Sequence, residues 1–344
     1  MGALAFIAIV RLISSWVCSW KYLPTTIPAL LIKISTVPNS AKTAALGGTY
    51  ATHHQSDFTD AFNNPSLLTV KHQNTLDLNY SNYVSDINYG SLQYGLKLKN
   101  ELLSVGLLYL NYGNFTETDA AGNETGNTFN ASDYLLNVGY SKTINPYFKL
   151  GANAKLIYSA YESFSSIALA ADVAATYQDT SKNLSVGLIV RNVGYQISPF
   201  AQTRENLPLK IDLAFSQKLK YAPFKYHITY QNLQKFNLNT GINSSETDIL
   251  TGESLNSGNS FGSNLAKHFI LGTELLLTSS FNLLAAYNFE KGRDLAVAGT
   301  GSASGLSFGL AIKLKKFSFY YANAKLNAAG SNNYFSIQIT PNFK

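Results

Sequence analysis

The stretch 304–315, SGLSFGLAIKLK, decides the fold class of this chain. Every second position is apolar, and the positions between them are small or polar. A period of two predicts a β-strand with one apolar face and one polar or small face. The same alternation returns at 134–140, 207–215 and 224–230. The apolar members in the first stretch are Leu306, Phe308, Leu310, Ile312 and Leu314.

Fourteen segments with this alternation predict fourteen strands. Strands of soluble proteins average about 5–6 residues, whereas a tilted membrane-spanning strand needs about 9–11. The segments reach or exceed the longer value, so we expect an all-β fold, a transmembrane antiparallel barrel of about 14 strands, instead of a β-sandwich. The predicted spans are 75–84, 87–98, 102–115, 131–143, 147–160, 165–177, 184–195, 207–219, 224–233, 265–278, 281–291, 304–315, 317–327 and 333–343.

The connections between these segments alternate in length. Those after the even-numbered strands are brief, whereas the long polar ones all follow odd-numbered strands, at 116–130, 196–206, 234–264 and 292–303. Bacterial outer-membrane barrels have short periplasmic turns and longer external loops. We therefore expect the outer membrane of a Gram-negative bacterium, periplasmic termini and loops at the cell surface. The two longest of these outer loops are Thr116–Asn130 and Gln234–Asn264.

The composition fits a protein whose surface meets lipid. Only 13% of the residues are charged, about half the usual share, while the chain holds 22 Tyr and 20 Phe. We expect these aromatics on the apolar strand faces and in girdles at the membrane interfaces. Residues 1–42 hold four bases and no acid, so 26 − 4 − 20 leaves a net charge of only +2 for the rest. This balance argues against nucleic-acid binding, and the single cysteine excludes a disulfide framework.

Two segments precede the first predicted strand. Residues 1–34 contain two apolar runs interrupted by Arg11 and are interpreted as an export signal; a single membrane anchor and a mis-assigned start site are the alternatives. Residues 35–73 lack alternation and are expected to form a periplasmic segment or a plug inside the barrel, which occupies 74–344. Within it, Asn63, Asn64 and Pro65 read as a turn that starts a short helix.

Residues with catalytic potential are few, and we expect no enzyme and no cofactor. The sequence has no nucleophile elbow, zinc-binding helix or P-loop. His53 and His54, beside Asp57 and Asp60, allow a metal site, but a solvated loop is the better interpretation. We expect His227 to face the lumen and form hydrogen bonds there. Charged residues expected to line the lumen are Lys97, Lys155, Lys210, Asp212, Lys225 and Lys313.

Several sequence motifs, taken in the order in which they occur along the chain, indicate a resemblance to a known family. The main ones are PNSAKTAALGG at 38–48 and AFNNPSLL at 61–68. Shorter ones are INYG at 87–90, LNYGNF at 110–115, ASDY at 131–134, VRNVG at 190–194 and APF at 222–224, with 158–172 between them. Together they resemble the PorQ family, outer-membrane components of the type IX protein secretion system. The resemblance is good over roughly residues 35–240.

The resemblance implies a non-enzymatic barrel similar to the fatty-acid-transporter (FadL-like) fold. It also implies a role in attaching secreted cargo to the cell surface, in which the outer loops hold a PorZ-like partner beside PorU-like and PorV-like proteins. The alternative is a FadL-like transporter of hydrophobic small molecules, which fourteen strands and a plug would equally suit. Outer-membrane lipid is the remaining expected partner.

Overall fold

The computed structural model describes residues 33–49, 52, 57–83, 87–98, 101–119, 121–200, 204, 206–238, 261–294, 303–327 and 330–340. Fourteen strands form one closed antiparallel barrel in which each strand pairs with its neighbours in the chain and β1 pairs with β14. The predicted fold class is confirmed. The strands are β1 Leu76–Asn82, β2 Asn88–Leu98, β3 Glu101–Thr118, β4 Glu124–Thr143, β5 Phe148–Tyr161, β6 Phe164–Asp179, β7 Leu184–Ser198, β8 Lys210–Lys218, β9 Phe224–Tyr230, β10 Phe269–Leu276, β11 Phe281–Asn288, β12 Leu306–Lys313, β13 Phe317–Asn327 and β14 Gly330–Ile339.

The outward face of the wall is apolar, and the strand register arranges it in rows. One row runs across five strands through direct register partners, all 40–45% exposed: Leu92, Leu107, Leu136, Leu156 and Leu169. We name it the leucine row. Leu78 of β1 and Ile337 of β14 continue it beyond Leu92. A continuous apolar belt of this kind is a surface that water solvates poorly and hydrocarbon covers well.

A second outward row, two residues further along each strand, is aromatic. Tyr109 and Tyr134 are register partners with ring centroids 4.9 Å apart, and Tyr158 follows at 6.2 Å from Tyr134. On the far side of β1, Tyr321 and Phe335 pair at 5.3 Å. The row marks one rim of the apolar belt, which is where tyrosines prefer to lie at a membrane interface.

The inward face carries the opposite chemistry. Serines, asparagines and ion-paired residues of the strands are almost completely buried inside the barrel; among them are Asn137, Asp172 and Asp212 at 0% exposure. An apolar cluster lies beside them at one part of the lumen, where Leu108 and Leu135 of the wall pack with Leu46 and Phe62 of the preceding segment. The molecule is therefore apolar outside and largely polar inside, the reverse of a soluble domain.

The connections keep the predicted alternation but change one assignment. Connections after even-numbered strands span two to five residues. The expected loop Thr116–Asn130, however, is wrong as a loop, because β3 and β4 continue as a paired hairpin to Thr118 and Glu124. Threonine, phenylalanine and asparagine at alternating exposed positions carry no apolar stripe, so periodicity alone did not reveal the extension. Residues 1–32 and 239–260 lie outside the described residues.

In the part of the chain that the structure describes, three short α-helices accompany the barrel: α1 Ala41–Ala45, α2 Phe261–Lys267 and α3 Phe289–Asp294. Single 3-10 turns occur at Lys33–Ser35, Phe58–Phe62, Pro65–Leu67 and Val70–His72. Among the described residues, none of the helices has the length and hydropathy needed to cross a bilayer.

Candidate functional site

Residues 33–49 and 57–75, which we name the lumen segment, lie against the inward face of the strands. Its members α1 and the 3-10 turn Phe58–Phe62 are entirely buried. Ser141 of β4 donates a hydrogen bond to the carbonyl of Leu68 at 2.9 Å, and Asn288 of β11 donates to that of Gly47, also at 2.9 Å. Contacts on opposite parts of the wall place the segment inside the barrel.

Helix α1 fits the lumen because its residues are small and its ends are capped. Ser40 accepts a hydrogen bond from the Thr43 amide at 3.2 Å, as an N-cap serine does. The Ala41 amide donates to Ser336 of β14 at 2.8 Å, and Ser307 of β12 donates to the carbonyl of Ala45 at 3.0 Å. Both helix termini, which would otherwise leave buried backbone groups unpaired, are thus bonded to the wall.

Lys42 forms the main ion pair of the lumen segment. Its Nζ lies 2.7 Å from Asp57 Oδ2 and 2.9 Å from Asp60 Oδ2, and Lys313 of β12 reaches the same Asp57 oxygen at 3.0 Å. Burial alone would lower the pKa of Lys42, but the attraction of the two carboxylates outweighs it and raises that pKa above its ordinary value. The lysine therefore stays charged, and its charge is balanced within the segment.

The same contacts bear on the metal interpretation of this stretch. Asp57 and Asp60 point at ammonium groups, and no cluster of three metal-binding side chains occurs among the described residues. His53 and His54, the other half of that interpretation, lie outside them. The carboxylates serve as anchors of the segment.

Asn63, Asn64 and Pro65, singled out in the sequence, hold the middle of the lumen segment. Asn63 donates to Asn39 at 2.6 Å within the segment. Asn64 caps the turn Pro65–Leu67 by accepting from the Ser66 amide at 3.0 Å, and it donates to Thr176 of β6 at 3.1 Å. Pro65 at the first position of the turn suits this cap, since its missing amide hydrogen would have no partner there.

Gly151 of β5 lets the Asn64–Ser66 backbone approach the wall. A Cβ at this position would overlap the Pro65 carbonyl carbon and the Ser66 amide nitrogen. We expect Gly151→Val to displace the lumen segment while β5, where valine is favoured, keeps its pairing. Proteolysis of the folded protein in detergent should then cut the segment. The outward-facing neighbour Ala152 provides the control, because Ala152→Val should leave the segment protected.

Protection of the segment in Gly151→Val would contradict the close packing described for this part of the wall. A loss of the barrel itself, seen as loss of heat-modifiable mobility in gel electrophoresis, would show that the wall depends on the segment.

Buried ion pairs also join neighbouring strands on the lumen side. Lys155 Nζ of β5 lies 2.6 Å from Asp172 of β6, and Arg191 of β7 lies 3.3 Å from Asp212 of β8. His227 of β9 faces the lumen as predicted and contacts Glu274 of β10 at 3.1 Å. The Lys155–Asp172 and Arg191–Asp212 pairs neutralise charges that cannot reach bulk water.

The sequence assigned most of these lumen residues correctly but not all. Lys155, Asp212 and Lys225 are buried in the lumen as expected, whereas Lys97 is exposed near the end of β2. The partners Asp172, Arg191 and Glu274 were missed. The signal that would have found them is an oppositely charged residue on the inward position of the next strand, which requires the register to be known.

The predicted partner-binding residues occupy two different structures at the end of the barrel where the odd-numbered connections lie. Thr116 and Asn130 belong to the paired β3–β4 hairpin. Gln234 bonds the start of β8, accepting from the Ile211 amide at 2.9 Å and donating to the Leu209 carbonyl at 2.8 Å. Asn264 lies in α2. The first expected loop is thus a β-hairpin. The second begins at Gln234, which is hydrogen-bonded to the start of β8, and ends in helix α2.

The β3–β4 hairpin beyond Asn111 and Ala131, which we name the outer hairpin, is exposed and internally ordered. Phe115 and Phe129 stack on one face at 5.4 Å. Next to this stack, Glu117 accepts hydrogen bonds from the side chains of Thr125 and Asn127, each at 2.8 Å. Asp119 closes the tip by accepting from the amides of 121 and 123, which holds its pKa below its ordinary value. The hairpin is a formed structure that could present a surface to a partner.

A recess of about 390 Å³ opens on the outward face of β4 to β7. Its floor is made of small residues, among them Ala154, Ala171 and Gly194, and larger apolar side chains surround it. It lies where the β6–β7 register shifts between Ala171 and Val173. Asn192 adopts a left-handed backbone there, with φ of 58°, and its amide donates to Asp172 at 2.9 Å.

Comparison with known proteins identifies the fold. No family model and no curated protein matches the chain. Among solved structures, the Pseudomonas putida toluene transporter TodX matches with a TM-score of 0.53 at 12% identity, covering 88% of this chain and 96% of that one. The TodX deltaS2 mutant, a monoaromatic hydrocarbon channel, matches at 0.52 and 11% identity, with 88% and 97% covered. A Pseudomonas aeruginosa FadL homologue matches at 0.44 and 11% identity, with 86% and 97% covered. The chain therefore has a closed β-barrel fold similar to that of TodX.

Proposed function

We propose that this protein is a non-enzymatic outer-membrane scaffold of the type IX secretion system, one that holds a PorZ-like surface partner of the cargo-attachment complex. The resemblance of residues 35–240 to the PorQ family supplies this assignment. In this role the termini are periplasmic, and the outer hairpin and the 231–268 connection face the cell surface.

The observation that carries the proposal is the way the lumen segment is fixed. It is bonded to the wall at β4, β6, β11, β12 and β14, with a buried ion-pair cluster at Lys42. Releasing a segment of this kind would leave several polar groups unpaired in a closed space, at about 1–3 kcal/mol each. A barrel with a segment fixed to its wall in this way suits a rigid anchor, and the outer hairpin gives the anchor a surface for its partner.

The test removes the two outer structures separately without touching the wall. Shortening the outer hairpin to a tight turn that joins Asn111 to Ala131 should release the partner from the purified complex, because its exposed surface is lost while the paired part of β3 and β4 remains. Removal of 239–260 is the second variant. Gln234, which is bonded to the start of β8, and α2, whose Lys267 carbonyl accepts from Gln231 beside β9, are kept.

Both variants should keep the heat-modifiable mobility of a folded barrel, and cargo display at the cell surface should fall. Normal cargo display in a variant that lacks both the outer hairpin and residues 239–260 would contradict the proposal.

A channel for apolar small molecules is the second candidate function. The similarity of the fold to that of TodX favours this function. The apolar recess at the interrupted β6–β7 pairing is a specific site that such a molecule could occupy. Filling the recess with Ala171→Trp should then lower the uptake of toluene into vesicles that contain the protein. Ala152→Trp, also outward but outside the recess, is the control. Equal uptake by all three proteins, or by empty vesicles, would exclude this function.

A further inference from the structure

The outer hairpin carries strand edges whose backbone groups extend past the barrel. The wall pairs β2 with β3 as far as Asn111 and β4 with β5 as far as Ala131. Beyond these points β3 and β4 pair with each other alone among the described residues, over residues 124–130 of β4. The register shifts between Glu124 and Thr128, where Gly126 has a φ of 83°, so the regular part of this edge runs from Thr128 to Asn130. A free strand edge is a template on which another strand can pair.

The two edges differ in how many of their backbone amides and carbonyls already form hydrogen bonds. On β3 a bulge between Asn111 and Asn114 disturbs the edge, and the Gly113 amide donates to the Asn111 side chain at 2.7 Å. On β4 the Asn130 carbonyl accepts from the Glu162 amide at 3.2 Å. Backbone groups point to the same side at every second residue of a strand. The amide and carbonyl of Thr128 therefore point outward on the same edge, and the structure shows no partner for them among the described residues.

The charged side chains of the outer hairpin favour a partner of positive charge. Residues 112–130 contain Glu117, Asp119 and Glu124 but no Lys, Arg or His. They also contain no Pro, and lysine and proline are the residues with which natural proteins block a free edge. An added strand would lie beside Glu124 of β4, with Glu117 of β3 and Asp119 of the tip further away. Opposite charges on neighbouring strands attract, so Lys or Arg in the added strand is favoured. An acidic strand would be repelled.

We propose that the β4 edge of the outer hairpin, residues 124–130, binds an extended basic segment of a partner protein by β-strand addition. Main-chain hydrogen bonds from Thr128 supply affinity, and the three carboxylates supply selection for Lys and Arg. The inference rests on the proposed scaffold function in that the partner is the surface protein held there, and it adds the mode of binding and the chemistry of the bound segment.

The experiment uses the full protein in detergent and two fluorescein-labelled peptides. The basic peptide alternates Lys with Thr and Val over eight residues. The acidic control peptide has the same sequence with Glu in place of each Lys. Fluorescence anisotropy should show saturable binding of the basic peptide and none of the acidic one. Thr128→Pro should raise Kd at least about fivefold, the equivalent of one main-chain hydrogen bond. Thr128→Ala, which keeps the amide, should leave Kd unchanged, and Glu124→Lys should weaken binding.

The outcomes separate this inference from the scaffold function. Equal binding of both peptides, or equal Kd for Thr128→Pro and Thr128→Ala, overturns strand addition at this edge. Resistance of the outer hairpin to protease reports whether the proline variant keeps its hairpin; if it does not, the comparison of the two peptides on the unaltered protein decides. If shortening the hairpin abolishes cargo display while the peptides behave alike, the scaffold function holds and strand addition fails. If the peptides bind selectively while cargo display stays normal, strand addition holds and the scaffold function fails.

Discussion

Lys42→Ala should release the lumen segment and cost about 3–5 kcal/mol of the free energy that holds it, because removing one partner of a buried pair leaves the other charges uncompensated. Lys42 is 2% exposed and serves both Asp57 and Asp60. Lys313 would remain within ion-pair distance of Asp57, to which it is hydrogen-bonded. The Asp60 carboxylate, 1% exposed, would have no cation at bonding distance among the described residues.

The measurement is the rate at which a protease cuts residues 33–75 in the folded, detergent-solubilised protein. Lys42→Ala should be cut at least about a hundredfold faster than the unaltered protein, the ratio that a loss of about 3 kcal/mol gives when opening is in equilibrium. Lys182→Ala is the matched control: Lys182 is 70% exposed and contacts Asp179 at 3.5 Å, and surface pairs of this kind contribute about 0–1 kcal/mol. Equal cutting of the two variants would mean that the ion pairs do not hold the segment.

Partial restoration is expected when the Asp60 carboxylate is neutralised as well. The double variant Lys42→Met with Asp60→Asn removes one charge of each sign and leaves Asp57 with Lys313, and replacing a complete buried ion pair with uncharged groups is often neutral. It should be cut more slowly than Lys42→Ala. This separates the effect of unpaired charge from the loss of packing around α1.

The sequence predicted the wall of the barrel well because one physical constraint acts on every strand. Apolar residues face outward at each second position, so Leu207–Phe215 or Phe317–Phe319 show the period of two without any knowledge of their neighbours. All fourteen predicted segments correspond to strands. The outer hairpin departs from this pattern because it extends beyond the apolar belt, where neither face is required to be apolar.

The contacts inside the lumen were harder to predict from the sequence, because they depend on the strand register and on residues that are distant in the chain. Asn64 could be assigned to a turn from its neighbour Pro65, but its hydrogen bond to Thr176 joins residues 112 positions apart. Asp57 and Asp60 suggested a metal site beside the histidines, and only the structure shows that Lys42 and Lys313 take up these carboxylates. Gly151 illustrates the same limit, since a glycine in a strand gives no sign of the backbone that packs on it.

Leu136→Arg should destabilise the barrel in a bilayer by about 2–4 kcal/mol, the cost of an arginine on the lipid face near the midplane. Leu136 is 40% exposed on the outward face, and it lies between its register partners Leu107 and Leu156 in the leucine row. It is also the sixth residue of the stretch 131–143 over which β4 pairs with β5. This position near the middle of the paired wall leaves the guanidinium too far from either interface to be well hydrated.

Reversible unfolding by guanidinium in lipid vesicles measures this cost, and Thr116→Arg provides the control. Thr116 lies in the outer hairpin, beyond the stretch that β3 shares with β2, so an arginine there should change stability by no more than about 0.5 kcal/mol. A soluble barrel would reverse the expectation, since an arginine at an exposed outward position costs little in water. Loss of less than about 1 kcal/mol in Leu136→Arg, with Thr116→Arg unchanged, would therefore show that the leucine row does not face hydrocarbon.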